Sequence, residues 1–184
     1  MEIKTTEIPG LLIIEPSVFG DARGYFMETY SVQVFAENNL NITFVQDNES
    51  MSNRGVIRGL HYQLEPWAQA KLVRVIQGSV FDVALDLRKD SPTFGKWHGI
   101  VLSGENKKQF YVPRGFAHGF AVLENNTIFA YKCDNFYKPA FERGISFNDS
   151  KLAIHWPIDV NDAIISEKDK NNPIMDLAEF NFKM

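Results

Sequence analysis

The chain reads as an all-β protein, a double-sheet jelly roll or related small barrel with short accessory helices. Three observations predict this. Short apolar or alternating runs bounded by Gly, Pro, Asn and Asp recur through the middle of the chain, and stretches of helical periodicity are few. Aromatic residues make up 13% of the chain, with 15 Phe available to fill the space between two sheets. No internal repeat or linker-like stretch interrupts the 184 residues, and 45% hydrophobic content suffices for one core, so residues 1–184 are read as one domain.

Taken in order, Leu11 to Glu15, Tyr25 to Tyr30 and Thr43 to Asn48 predict the first strands, each entered from a segment carrying Gly or Asn. Val56 to Tyr62, Lys71 to Ile76 and Ser79 to Leu87 follow, with Gln77-Gly78 turning the second of these into the third. Trp97 to Leu102, Gln109 to Val112, His118 to Leu123 and Ile128 to Cys133 complete the set, and Glu124-Asn125-Asn126 turns the last pair. Ser31 caps a short helix running through Phe35 and Glu37 and stopping near Asn38-Asn39. Pro173 opens another that carries Met175, Leu177 and Ala178.

Composition narrows the partners. The net charge is −4, the pI about 5.6, and Lys and Arg are scattered, so no basic stripe follows a phosphate backbone and nucleic acid is not an expected partner. Cys133 is the sole cysteine, which excludes an intramolecular disulfide, fits a reducing compartment and predicts a small buried hydrophobe. The start MEIKTTEIPG lacks the basic and apolar regions of a signal peptide, and no apolar run is long enough to cross a bilayer. No membrane partner and a cytoplasmic location are expected.

Polar side chains gather at Arg58 to Gln63, at Lys71, at Gly115 to Phe120 and at Tyr131. Strand alternation sets His118 on one face with Phe120 and Val122, and Tyr131 on one face with Phe129 and Cys133. Those companions are core-like, so both polar residues are expected to point inward, where a polar tip must find a partner or a ligand. Either one alone fits a satisfied core hydrogen bond. Together with His61 and Lys71 they indicate a site. His98 beside Trp97, and His155 beside Trp156-Pro157, have no polar cluster around them and receive no role.

A metal is the obvious tenant of a small barrel with inward histidines, but the spacing disfavours it. Such a site typically needs two histidines two apart on a strand, a carboxylate soon after and a third histidine later. Here Gln63 stands two beyond His61, and only His61 and His118 are plausible imidazole ligands. No metal and no cofactor are expected.

The chain resembles the dTDP-4-dehydrorhamnose 3,5-epimerase family, motif by motif and in order, from about Pro9 to Asp169. The similar segments are Phe19 to Glu28, Val45 to Asn48, Val56 to Gln63, Gln69 to Val75, Asp86-Leu87-Arg88 with Ser91 to Trp97, Pro113 to Phe120, Tyr131 to Cys133, Glu142 to Ile145 and Ser166 to Asp169. Trp67 stands where a His is frequent in the family, and Phe136 where a second Tyr is frequent before Tyr137. The resemblance implies a cupin-type jelly roll, a homodimer, and a dTDP-linked 4-keto-6-deoxy sugar as substrate.

It also implies roles. The C4 ketone acidifies the hydrogens on C3 and C5, which lie on one ring face, so one base below and one acid above suffice for a double inversion. His61 matches the base, and imidazole ionises near neutral pH. Asp169 matches the residue that orients it, Tyr131 the acid, and Lys71 the cation facing the C4 oxygen as negative charge develops there. His118 is implied to assist at that oxygen or at a hydroxyl. Arg23, Arg58 and Lys168 match cations for the diphosphate. Gln46, Asp47, Asn48, Glu28 and Glu142 fall in segments that contact base or sugar, and Phe26 and Tyr137 match the aromatic surfaces around the thymine. In the family the segment with Arg23 and Glu28 can come from the partner subunit, so shared sites are implied. Two other readings stay open: a non-catalytic sugar-binding barrel, and a related C3-only epimerase or ketoisomerase.

Overall fold

The computed structural model describes residues 1–184. Thirteen strands account for most of the order. They are β1 (Glu2–Thr5), β2 (Leu12–Glu15), β3 (Val18–Asp21), β4 (Gly24–Met27), β5 (Gln46–Ser52), β6 (Ile57–Gln63), β7 (Lys71–Gln77), β8 (Ser79–Asp86), β9 (Trp97–Ser103), β10 (Gln109–Val112), β11 (Phe116–Val122), β12 (Thr127–Cys133) and β13 (Glu142–Gly144). A six-stranded antiparallel sheet runs β1-β2-β10-β7-β12-β5, and a five-stranded one runs β13-β6-β11-β8-β9. The cupin-type jelly roll is therefore present, with β3 and β4 forming a separate hairpin outside both sheets.

The interior between the sheets holds Val73 and Val75 of β7, Val80 and Ala84 of β8, Phe110 and Val112 of β10, Phe116, Phe120 and Val122 of β11, and Phe129 of β12. A second cluster covers the outside of the five-stranded sheet, where Leu60, Tyr62, Val83, Leu85, Ala117 and Ala121 pack under Ile145, Phe147, Leu152, Trp156 and Phe182 of the C-terminal region. All seven residues of β11 are consequently buried. On the outside of the six-stranded sheet, Ile14, Ala70, Leu72 and Tyr111 pack with Phe35 of helix α1 (Val32–Glu37). Ser31 caps that helix as expected, its Oγ accepting from Val34 N at 3.4 Å.

Several expectations need correction. Tyr25 to Tyr30 is not a sheet strand: only Gly24–Met27 is extended, and it pairs with β3, which the sequence did not suggest. The strand expected at Thr43 to Asn48 starts at Gln46 and continues to Ser52, because Phe44 turns aside to pack edge-on against Tyr30 and Phe35. The inward residues of β5 are the polar Gln46, Asn48, Ser50 and Ser52, so no apolar alternation marks the strand. The helix expected after Pro173 is only a 3-10 turn, Met175–Leu177, while the four-residue helix α2 (Glu167–Lys170) went unforeseen, as did β1 and β13. The expected turns do occur, with Gly78 at φ 76° and Asn126 at φ 55°.

Candidate active site

The site is a cleft between the two sheets. Its larger part, about 620 Å³, is lined by residues of both sheets and of the segment Ile164 to Asp169, and a second part of about 280 Å³ continues past His61, Lys71 and Tyr131 toward Tyr137 and Glu142.

His61 and His118 face each other across β6 and β11 in register, and a register shift follows immediately, between His118 and Phe120. Glycines permit that close crossing. A Cβ on Gly59, whose φ is 120°, would fall 2.6 Å from Gly119 Cα, and one on Gly119 would fall 2.7 Å from the Arg58 carbonyl oxygen. His61 Nε2 lies 2.6 Å from Asp169 Oδ1, and Asp169 is 3% exposed. The second carboxylate oxygen accepts from Gly59 N at 3.3 Å. Ser166 caps α2, its Oγ accepting from Asp169 N at 3.1 Å, and Ile164 is held beside β6 by Ile57 N donating to its carbonyl at 3.1 Å. Burial pushes the Asp169 carboxyl up, but the His61 contact, the Gly59 N–H and the Ser166 hydroxyl outweigh it and hold it below the usual carboxylate range. An ionised Asp169 only accepts, so Nε2 carries the imidazole proton and Nδ1 is the free basic atom.

The opposite wall comes from the six-stranded sheet. Tyr131 on β12 and Lys71 on β7 both line the cleft, with the Lys71 ammonium 5.9 Å from the Tyr131 ring centroid. Burial lowers the Lys71 ammonium, against the raising influence of Cys133, Asp82 and Glu142. Burial raises the Tyr131 phenol, so it keeps its proton well past neutral pH. Cys133 is buried as expected, its thiol pushed up to about 11 by that burial.

A polar chain crosses the cleft mouth. Lys168 Nζ reaches Glu142 Oε1 at 2.5 Å, and Tyr137 Oη donates to Glu142 Oε2 at 2.5 Å. Tyr137 N donates to Gln46 Oε1 at 3.2 Å, and Gln46 Nε2 donates to Asn48 Oδ1 at 3.1 Å. Arg58 donates through Nε and Nη2 to Ser52 Oγ at 3.2 and 3.0 Å on the cleft wall. His118 Nε2 lies 2.9 and 3.0 Å from the two oxygens of Asp82, which is fully buried.

The fold thus gathers His61, Asp169, Lys71, Tyr131, His118, Arg58, Asn48, Gln46, Tyr137, Glu142 and Lys168. It does not bring in Asp47, because alternation turns that side chain to the outer face of β5, where it accepts from Lys132 Nζ at 2.9 Å. Nor do Arg23, Phe26 and Glu28 line this cleft. They sit on or just after the exposed β3–β4 hairpin, where Arg23 pairs with Asp21 and Phe26 is 70% exposed. Sequence reasoning passed over Asp82, Ser52 and Ser166. Asp82 had a signal, being the one charged residue inside the otherwise apolar run Val80 to Leu85. No three His, Cys, Asp or Glu side chains form a metal-binding group.

An imidazole held by a carboxylate shares this jelly-roll cleft with a phenol and a lysine, a set suited to moving a proton at a carbon beside a carbonyl, as a cupin-type isomerase does. The family model for dTDP-4-dehydrorhamnose 3,5-epimerases matches residues 5–176. The chain belongs to that family. It is 56% identical over 172 residues to the enzyme of this name from Shigella flexneri, covering 93% of this chain and 94% of that one. The crystal structure of the Elizabethkingia anophelis enzyme superposes with a TM-score of 0.92 at 55% identity, covering 96% of this chain and 97% of that one. A Legionella pneumophila epimerase solved with dTDP-4-keto-L-rhamnose superposes with a TM-score of 0.92 at 48% identity, covering 96% and 93% of the two chains.

Proposed function

We infer that the protein inverts C3 and C5 of dTDP-4-dehydro-6-deoxy-D-glucose to give dTDP-4-dehydro-L-rhamnose, a step toward dTDP-L-rhamnose. The observation that carries this reading is the 2.6 Å contact of His61 with ionised Asp169 on one wall, facing Tyr131 and Lys71 on the other. His61 Nδ1 removes the proton beside the C4 ketone, and the Lys71 ammonium stabilises the oxygen as it gains charge. Tyr131 returns a proton to the opposite face of the same carbon; His61 then gives its proton up to solvent, the Tyr131 phenolate takes one from solvent, and the cycle repeats at the second carbon. No atom changes oxidation state, so the chemistry calls for no redox partner. A barrel that only bound sugar gives no reason for an imidazole–carboxylate pair to share its cleft with a phenol and a lysine in this way.

Arg58 and Lys168 are the cations of the cleft suited to the diphosphate, and Tyr137 is the aromatic surface suited to the base. The hairpin carrying Arg23, Phe26 and Glu28 serves the cleft of a second copy in a homodimer. Its exposed aromatics, Phe19 at 65% and Phe26 at 70%, support that assignment. The chain works as one catalytic domain over residues 1–184, and a cytoplasmic location is proposed with it, in keeping with a sequence whose single cysteine leaves no disulfide to form within the chain; no helix is long and apolar enough to cross a membrane.

The test is incubation of the purified protein alone with the dTDP keto sugar in deuterated water. Proton spectra should show label and inverted configuration at both C3 and C5. Label at C3 only would establish the related C3 epimerase instead, and no label at either carbon would refute the catalytic reading.

A further inference from the structure

Gly144 ends β13, and the antiparallel register sets it directly opposite His61 on β6. Opposed residues of such a pair send their side chains to the same face, about 5 Å apart. A side chain at position 144 would therefore stand beside the imidazole. That space is filled from elsewhere in the chain. A Cβ built on Gly144 would fall 2.5 Å from both Cγ and Nδ2 of Asn172, and closer still to its Oδ1. The Asn172 Nδ2 is buried there with no hydrogen-bond partner, so shape rather than hydrogen bonding holds the amide in the gap.

Asn172 also belongs to the turn that closes α2. Its N–H donates to the Asp169 carbonyl at 3.3 Å, and the carbonyl of Pro173 accepts from Ser146 N at 2.8 Å, two residues past Gly144. Ser166 and Gly59 secure the start of α2 and the Asp169 carboxylate. Neither reaches the end of that helix. A four-residue helix has almost no stability of its own, so its orientation depends on what its ends are fastened to.

The geometry points to Asn172 as a positioning residue: its amide, seated in the side-chain void of Gly144, fastens the end of α2 to the strand beside His61 and so sets Asp169 against the imidazole. Gly144 is glycine because another residue's side chain occupies its place. Its backbone is not left-handed, so Gly144→Ala adds only a methyl group, in conflict with the Asn172 amide. The effect on rate rests on the reading of His61 as the base; the effect on the imidazole does not.

Nitrogen NMR of the His61 ring in the substrate-free protein is the primary readout, because the ring signals report which nitrogen carries the proton and how strongly it is hydrogen-bonded. Gly144→Ala should weaken the Nε2–H signature, slow solvent deuterium uptake into the keto sugar by about tenfold or more, and leave dTDP affinity unchanged. Asn172→Gln, one methylene too long for the void, should do the same without touching the strand, so a folding defect in the glycine variant would not end the test. Asn172→Ala, which removes the amide and creates no clash, should weaken the ring signature and slow uptake as well, and combining it with Gly144→Ala should bring neither back. Wild-type ring signals in Asn172→Ala, or in both Gly144→Ala and Asn172→Gln, or recovery in the double variant, would overturn the assignment. If the wild-type protein took up no deuterium at all, the catalytic reading would fail while the ring signals still decided the positioning role.

Discussion

His61 and Tyr131 divide the chemistry by ring face, so each has a substitution that removes one half and spares the other. His61→Asn keeps a hydrogen-bonding side chain beside Asp169 but has no basic nitrogen. Turnover should fall by roughly a hundredfold or more with little change in nucleotide affinity, read from steady-state kinetics and a dTDP titration. Tyr131→Phe leaves the ring packed 6.0 Å from Phe129 and removes only the phenol. His61 can then take a proton and return it from the same side, so C3 or C5 should exchange deuterium with retained configuration and little inverted product should form. Wild-type inversion by this variant would move the acid elsewhere, with His118 next in line. His118 is less suited, since its Nε2 is already engaged with buried Asp82.

Short elements and loops depend on contacts outside themselves, and away from the site the loop after β8 shows how. Asp86, fully buried, accepts from Arg88 N, Nε and Nη2 at 3.0, 2.8 and 2.7 Å, from Ser91 Oγ at 2.6 Å and from Thr93 Oγ1 at 2.8 Å. Arg88 Nη2 also donates to the Pro9 carbonyl at 2.8 Å, tying this loop to the N-terminal segment. Burial pushes the Asp86 carboxyl up, but these donors outweigh it and the net direction is down. A folded-state pKa below the unfolded one gives stability that is complete above the ordinary carboxylate range and is lost as pH falls through and below it. Asp86→Asn strands a buried guanidinium and should cost about 3 kcal/mol or more in urea unfolding at neutral pH. The gap between variant and wild type should narrow as the pH is lowered below 4 or so; a gap that stays constant would assign the stability to shape and not to charge.

The whole molecule leaves an aromatic hairpin outside both sheets and a cleft whose cations come only from Arg58, Lys71 and Lys168. The proposed homodimer, each hairpin serving the other copy's cleft, would account for both, and mixing variants tests it. Arg23→Ala and His61→Asn proteins should each be impaired alone. After co-refolding in equal amounts, half the dimers are hybrids, and one of their two sites has neither defect. Activity should recover to about a quarter of wild type. If Arg23 served its own chain's cleft, every site would carry one defect and nothing would recover.

Much of this was legible in the linear chain. Period-two apolar runs identify β6 to β12 because the barrel interior and the covered outer face both demand apolar side chains, and the inward direction of His118 and Tyr131 follows from their neighbours. The ordered motifs around His61, Lys71, Tyr131 and Asp169 carry the family. Other features became visible only in three dimensions. β5 faces the cleft with polar side chains, so it lacks the pattern that marks its neighbours. α2 and β13 are too short to produce a periodicity, yet they bring Asp169 and Gly144 to His61. Asp47 and Asn48 are adjacent in the chain and fall on opposite faces of a strand whose start the apolar pattern placed too early. Sequence determines which residues prefer to be buried, and by that preference the class of fold; which polar residues meet is decided by strand register and by the packing of segments about a hundred residues apart, as with Gly59 and Asp169, because neither leaves a local trace in the chain.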